Sequence, residues 1–245
     1  MTWSIVARDD AGALGVAVAS RFFAVGALCP YARSGVGALA TQALVNPGYG
    51  PAGLDRLAAG DSPQQAIDAL VRADAGREHR QVHVVAQDGR TAAHTGEQCI
   101  GWCGHLACDG FSVAGNMLAG ERVIHDTAEA FRRHAHLELA LRLIVAMQAG
   151  EAAGGDKRGR QAAALRVVAT EDYPLLDLRV DDHADPLSEL RRLHAVSLER
   201  YQAFVSCLPS RALPAGITDR AVIEREIERF QTRRMRDTST STSER

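Results

Sequence analysis

A chain of 245 residues, 46% hydrophobic and 24% charged, has the composition of an ordinary globular protein and the length for one large domain or two small ones. Its formal net charge of −2 and pI near 6.5 give no electrostatic basis for nucleic-acid or anionic-membrane binding as a main role. No apolar run approaches the ~18–20 residues that a bilayer span needs. The opening MTWSIVARDD lacks the basic and apolar regions of a signal peptide. The expectation is a cytoplasmic protein whose main partner is neither nucleic acid nor a membrane.

Residues 4–8 and 14–19 are short apolar runs either side of Asp9-Asp10-Ala11-Gly12 and read as a β-hairpin. A third strand is expected over 36–44, closed by Asn46-Pro47-Gly48. The Ala and Gly content of these strands predicts close packing on both faces. A short helix follows over 49–59. Ser62 then opens a second helix, with Pro63 in its first turn and Gln65 completing a capping box. Ile67, Leu70 and Val71 share one face of that helix.

The second half repeats the theme. Residues 82–87 and 91–95 form a hairpin around Asp88-Gly89, and 104–114 predicts one more strand. Helices are expected over 121–133 and 137–148, the latter apolar nearly all round and so buried between layers. A glycine loop at 150–159 leads to strands at 163–170 and 176–180. Beyond them Leu187, Leu190, Tyr201, Phe204 and Leu208 share one face of one helix, and Ile223, Ile227 and Phe230 one face of another. The polar stretch 237–245 is expected to be disordered. Hairpins and helix pairs in alternation describe an α+β layered protein rather than a doubly wound sheet. No G-x-G-x-x-G, Walker or G-x-S-x-G sequence is present, which disfavours a nucleotide-dependent enzyme and a Ser-His-Asp hydrolase.

The stretches TWSIVARDDAGALGVAVASRF, GVGALATQALVNPGYGPAGL, GNMLAG and GGDKRGRQAAAL resemble, in order, the bacterial family of unknown function DUF1028. The likeness runs over roughly residues 2–195. It implies a four-layer αββα sandwich of the Ntn-hydrolase type over 1–210, leaving a helical extension at 211–236 and a tail at 237–245. Some members carry a further C-terminal domain resembling a peptidoglycan-binding module; here that region is short and helical.

In Ntn hydrolases the first residue of the mature chain is both nucleophile and base. A free α-amine with pKa near ~7.7–8.0 is a base at neutral pH without a His-Asp relay. The resemblance therefore points to Thr2, exposed by removal of Met1, as a nucleophile for C–N bond hydrolysis in a small linear amide; the plain alternative is a residue that opens a strand. By loose analogy with the proteasome-like branch, Ser20, Arg21 and Arg33 would tune the terminal amine, although Arg33 stands where that branch has a lysine. A surface salt bridge is an equal reading for Arg33.

Asn116, within Ala114-Gly115-Asn116-Met117, is the candidate oxyanion donor, with turn chemistry as its alternative. Thr41, Gln42 and Asn46 follow an apolar strand and are expected to line the same cleft. In the loop 154–161, Arg158 would clamp a substrate carboxylate, Asp156 would hold an amine or orient Arg158, and Gln161 completes the binding set. Solvated charges on a tight connection are the alternative there.

Two further patterns are weaker. Asp181-Asp182-His183 reads more readily as a turn or cap than as a relay. Cys99, Cys103 and Cys108 surround His105, but their x3 and x4 spacings are not those of a zinc ribbon, so reduced thiols are expected and no metal or cofactor. Three functional readings remain: a Thr2 amide hydrolase; a non-catalytic ligand-binding or scaffold protein on the same fold; and a zinc hydrolase using Cys103, His105 and Cys108. The apolar stripes of the C-terminal helices suggest a homodimer.

Overall fold

Small and branched residues alternate through β1 (Thr2–Arg8) and β2 (Leu14–Ser20), and every residue of the pair except Arg8 is buried. Only strands covered on both faces have this pattern. The structure, a computed structural model, describes residues 2–242, with side chains described to 235. The pair lies at the centre of a six-stranded antiparallel sheet with β7 (Trp102–Cys108), β8 (Phe111–Leu118), β9 (Ala162–Val168) and β10 (Leu176–Val180), in the order β10-β9-β2-β1-β8-β7. A second antiparallel sheet has the order β3-β4-β5-β6, from β3 (Pro30–Arg33), β4 (Gly37–Ala43), β5 (Arg80–Ala86) and β6 (Thr91–Thr95).

The sheets face each other, with β1 and β2 against β4 and β8 against β5. Val6, Val16, Val18, Ala38, Ala40 and Val85 fill much of the space between them. On the far side of the smaller sheet, Leu39, Val82 and Val84 meet α1 (Tyr49–Ala58) and α2 (Pro63–Ala73) through Tyr49, Ile67 and Leu70. The larger sheet is covered by α3 (Arg122–Arg133) and α4 (Leu139–Ala152). Gly15 allows that approach: a Cβ there would stand 2.6 Å from Leu143 Cδ1. Both arms of the α2 capping box are made, Gln65 N–H to Ser62 Oγ at 3.3 Å and Ser62 N–H to Gln65 Oε1 at 2.8 Å.

Several elements differ from the sequence reading. The single strand expected over 104–114 is the hairpin β7–β8, folded at Asp109-Gly110 with Cys108 paired to Phe111. The two-residue Asp-Gly turn needs positive φ, and Gly110 supplies φ 77°. The short strand β3 was not expected. The apolar stripe from Leu187 to Leu208 is divided between α5 (Pro186–Ser197) and α6 (Tyr201–Val205), because Arg200 leaves helical geometry at φ −150°. Tyr201 and Phe204 are consequently exposed. Helix α7 runs Arg220–Thr242, so residues 237–242 continue a helix instead of forming an unstructured tail; 243–245 lie outside the described residues.

The chain divides into two compact units, one to Arg191 and one from Arg192, where the sequence placed a boundary at 210. In the second unit Arg200 pairs with Glu224, and Gln231 Nε2 donates to the Glu199 carbonyl at 2.6 Å. Among the described residues no helix is long and apolar enough to cross a membrane.

Candidate active site

Polar side chains at alternate positions of four strands meet between the two sheets. Thr2 and Ser4 come from β1, Gln42 from β4, Gln81 and His83 from β5, Ser112 and Asn116 from β8, and all seven are buried. Such groups are costly to bury unless hydrogen-bonded, and here their bonds interlock. Ser4 Oγ donates its one proton to Gln42 Oε1 at 2.7 Å, so it accepts from His83 Nε2 at 2.8 Å. His83 Nδ1 then accepts from Ser112 Oγ at 3.1 Å, which fixes the imidazole as the neutral Nε2–H tautomer. Burial holds the His83 pKa down at about 3, with His105 adding a like-charge penalty. Gln42 Nε2 donates to Gln81 Oε1 at 2.8 Å and to the Ala114 carbonyl at 3.1 Å. Gln81 Nε2 in turn reaches Thr95 Oγ1 and the carbonyls of Gly104 and Gly115 at 2.9–3.1 Å.

One end of this seam holds Thr2. Its neighbours across the ladders are Ser20 on β2 and Asn116 on β8. Thr2 Oγ1 lies 3.0 Å from Ser20 Oγ. Asn116 Nδ2 donates to the Thr2 carbonyl at 3.3 Å and to Gln81 Oε1 at 3.1 Å. Both amide hydrogens of Asn116 are thus committed within the protein, which makes it a holder of the Thr2 backbone rather than an open oxyanion donor. A β-bulge aims it: Trp102 pairs with Leu118 but Gly104 with Gly115, so Asn116 and Met117 together oppose Cys103.

The glycine loop closes on the same end of the sheet. Asp156, 4% exposed, accepts the Arg21 backbone N–H at 2.8 Å and pairs with the Arg158 guanidinium at 3.1 Å. Arg21 Nη1 donates to the Arg158 carbonyl at 3.0 Å, and Asp156 bridges to Leu118 at the end of β8. Ser20, Arg21, Asp156 and Arg158 are thereby brought together beside Thr2, but the Arg158 and Asp156 charges answer each other.

Other candidates lie apart. Arg33, at the Gly37 end of the β3–β4 pair, makes an ion pair with Asp55 at 2.8 Å, whereas Thr2 sits by the Gln42 end. Thr41 Oγ1 donates to the Asn46 carbonyl at 3.2 Å, and the Asn46 side chain turns to Asp74 at 3.1 Å. Arg80 heads a group of donors, with Gly76 N–H, Tyr49 and Asn46, that keeps the Asp74 carboxyl well below the usual range. Gln161 bonds to Asp182 at 3.1 Å, and His183 Nδ1 accepts the Asp185 N–H at 3.0 Å, a turn arrangement. The sequence-adjacent zinc candidates are split by strand alternation. His105 faces Thr95, at 2.9 Å, whereas Cys108 takes a bond from Arg132 on α3 at 2.9 Å. No cluster of three or more His, Cys, Asp or Glu able to hold a metal occurs among the described residues.

Two hollows flank the Thr2–Asn116 pair. One, of about 60 Å³, has Thr2, Val25, Leu28, Cys29 and Gln42 in its wall. The other, of about 200 Å³, includes His79, Cys99, Asn116 and Met117. Ala43 belongs to both walls. Ala43, Met117 and Ala24 are the non-glycine residues at positive φ among the described residues, at 69°, 52° and 52°. Each costs of order 1 kcal/mol or more and persists only where its surroundings impose it. Exposed Phe22 and Leu28 line the smaller hollow, and exposed Leu44 and Ile100 the larger.

The sequence reading missed Ser4, Gln81, His83 and Ser112. Their signal was available: single polar residues at period two inside otherwise buried strands. It also passed over Lys157, the only lysine in the chain. A Cβ built on Gly101 would lie 3.4 Å from its Nζ and 3.1 Å from Met117 Cα, which puts that ammonium beside the bulge.

Comparison with solved structures places the fold. The crystal structure of protein SPO2555 from Silicibacter pomeroyi, itself of family DUF1028, matches with a TM-score of 0.82 and 29% identity, over 89% of this chain and 99% of that one. Anbu (ancestral beta-subunit) from Yersinia bercovieri gives a TM-score of 0.38 at 11% identity, over 85% of this chain and 98% of its own. No curated protein matches the chain. The family model for DUF1028, a family of unknown function, matches residues 2–190, and the chain belongs to that family.

Proposed function

We propose that this protein is a hydrolase of the Ntn type, built as a four-layer αββα sandwich, which cleaves a C–N amide bond in a small molecule with Thr2 as nucleophile once Met1, outside the described residues, has been removed. The observation that carries the reading is the setting of Thr2: first in its strand, its hydroxyl 3.0 Å from Ser20 Oγ, its carbonyl held by Asn116, at the edge of a hollow. Thr2 Oγ attacks the amide carbonyl while the freed α-amine accepts its proton. The amine passes that proton to the leaving nitrogen as the C–N bond breaks, which leaves the acyl group as an ester on Thr2. Water, activated by the same amine, then hydrolyses the ester to a carboxylic acid and restores Thr2. Ser20 orients the hydroxyl. Asn116 and Gln42, whose Nε2 stands 3.5 Å from the Thr2 carbonyl, hold the strand start.

The test is intact-mass measurement and N-terminal sequencing of protein made without an N-terminal tag, followed by a screen of small amides against wild type and Thr2→Ala. A chain starting at Thr2, with amide cleavage abolished in Thr2→Ala, is the expected result. Quantitative retention of Met1 removes the base and overturns the mechanism in favour of a ligand-binding role on the same fold.

A further inference from the structure

The hollow beside Thr2 has walls that specify what enters it. We infer that it is an acyl pocket for a short, uncharged aliphatic chain of about two or three carbon atoms beyond the carbonyl, so that the substrate is the amide of a short-chain aliphatic acid; this rests on the Thr2 reading. No charged side chain lines it. Val25, Leu28 and Val45 are aliphatic, and Phe22, half exposed, forms part of its wall. Its polar members have their hydrogen bonds directed elsewhere. Gln42 accepts from Ser4 and donates to Gln81 and Ala114, and Thr41 donates to the Asn46 carbonyl. Cys29 is fully buried, and burial pushes its thiol far above the ordinary range, so that it lines the wall as a neutral apolar group. A carboxylate or ammonium at the end of the pocket away from the Thr2 amine would lose part of its water and meet no charged side chain, which disfavours it.

Volume sets the length. An apolar cavity of ~150 Å³ holds the six carbon atoms of benzene and a water takes a share of ~30 Å³, so about 60 Å³ takes about two or three non-hydrogen atoms. The charged pair of the glycine loop lies outside the hollow. Arg158, the residue best suited to clamp a carboxylate, is paired with Asp156 on the loop side of Ser20 and does not line the hollow. The larger hollow beyond Ala43, about 200 Å³ with His79 and Gln98 in its wall, leaves room for the amine half of the molecule.

The experiment uses the full chain with a verified Thr2 terminus and a series of p-nitroanilides: acetyl, butyryl, hexanoyl, decanoyl and, as a charged match in size to hexanoyl, glutaryl. kcat/KM is expected to peak at butyryl, with hexanoyl and decanoyl at least ~10-fold lower and glutaryl lower still. Val45→Phe, which fills the pocket, should move the optimum to acetyl. In parallel, calorimetry on Thr2→Ala with butyramide, hexanamide, decanamide and glutaramate reads the pocket without chemistry, and butyramide should bind tightest. Thr2-dependent cleavage with a flat profile, or one favouring hexanoyl, decanoyl or glutaryl, overturns the acyl pocket and leaves the nucleophile standing. Absent cleavage with butyramide-selective binding overturns the nucleophile and leaves the pocket. Neither cleavage nor selective binding overturns both.

Discussion

Gln81 is the point where the internal polar seam is most concentrated, and replacing it with Met tests whether that seam supports the fold. The side chain is 0% exposed, accepts from Gln42 and Asn116, and donates to Thr95 Oγ1, Gly104 O and Gly115 O. Methionine matches its length and keeps the apolar packing but can neither accept nor donate strongly. Gln42 Nε2 retains the Ala114 carbonyl and Asn116 Nδ2 retains the Thr2 carbonyl, so each loses one partner. A stranded Asn116 hydrogen, a Gln42 hydrogen left with only the long 3.5 Å contact to the Thr2 carbonyl, and the Gly104 and Gly115 carbonyls deprived of the Gln81 donor, at ~1–3 kcal/mol per fully stranded group, predict a loss of about 3 kcal/mol. That is a large share of the ~5–15 kcal/mol that holds a domain together. Both tryptophans, Trp3 and Trp102, lie in the first compact unit, so urea unfolding followed by their fluorescence reports this unit alone. With a urea slope of ~2–3 kcal/mol per molar, the midpoint should fall by about 1–1.5 M. Gln87→Met is the control: Gln87 is half-buried, gives one bond to Gly12 O at 3.2 Å, and should cost under ~1 kcal/mol. If Gln81→Met costs no more than the control, the seam has slack or water enough to absorb the change, and the claim that it fixes Thr2 fails with it.

Three further outcomes follow from the same geometry. Gly150→Ala gains about 1 kcal/mol of helix propensity in α4, but its Cβ would stand 2.2 Å from Thr127 Oγ1 and 2.9 Å from Trp3 Nε1; overpacking of ~1–3 kcal/mol wins, and thermal unfolding should show a net loss. Ala43→Gly removes a φ of 69° on a residue with a Cβ and should raise the melting temperature by about 2–4 °C; a fall would mean the methyl contributes more than the strain costs. The His83 pKa, about 3 in the folded protein, lies below its unfolded value of 6.5, so its contribution is fully present above pH 6.5. It is lost as the pH falls, because the unfolded chain binds a proton that the folded chain refuses. The unfolding free energy from urea titrations should drop with a slope up to ~1.4 kcal/mol per pH unit between pH 6 and 4, and His83→Gln should flatten that dependence.

What the sequence conveyed was periodicity. The β1–β2 hairpin, the Asp88-Gly89 hairpin and the Ser62 capping box all appear in the structure because each is set by local chemistry within a few residues. The Asp109-Gly110 turn carried the same signal and was overlooked because the apolar run continues through it. The break between α5 and α6 has no such marker: residues 198–200 are Leu-Glu-Arg, ordinary helix formers, and tertiary context overrides their propensity. Thr2, Ser20, Asn116, Asp156 and Arg158 were named from sequence and do come to one end of the larger sheet. Their pairing was not readable, and it changes the roles: Arg158 answers Asp156, and Asn116 answers Thr2 and Gln81.

The deeper omission concerns strain. Glycine announces positive φ in a sequence; alanine and methionine do not, and Ala24, Ala43 and Met117 were invisible for that reason. Their locations are informative together. Ala43 ends β4 just after Gln42, Met117 follows Asn116 in the bulge, and Ala24 precedes Val25 in the wall of the smaller hollow. Each strained residue is thus next to a residue of the seam or of the pocket. Strain of ~1–3 kcal/mol per residue survives only against rigid neighbours, and the interlocked amides of Gln42, Gln81 and Asn116 supply that rigidity. The internal polar network and the strained rim are therefore one device: the first is stiff enough to hold the second in the shape that surrounds Thr2. On this argument Ala43→Gly, the variant expected to unfold at the higher temperature, should also be the one that discriminates acyl chains least.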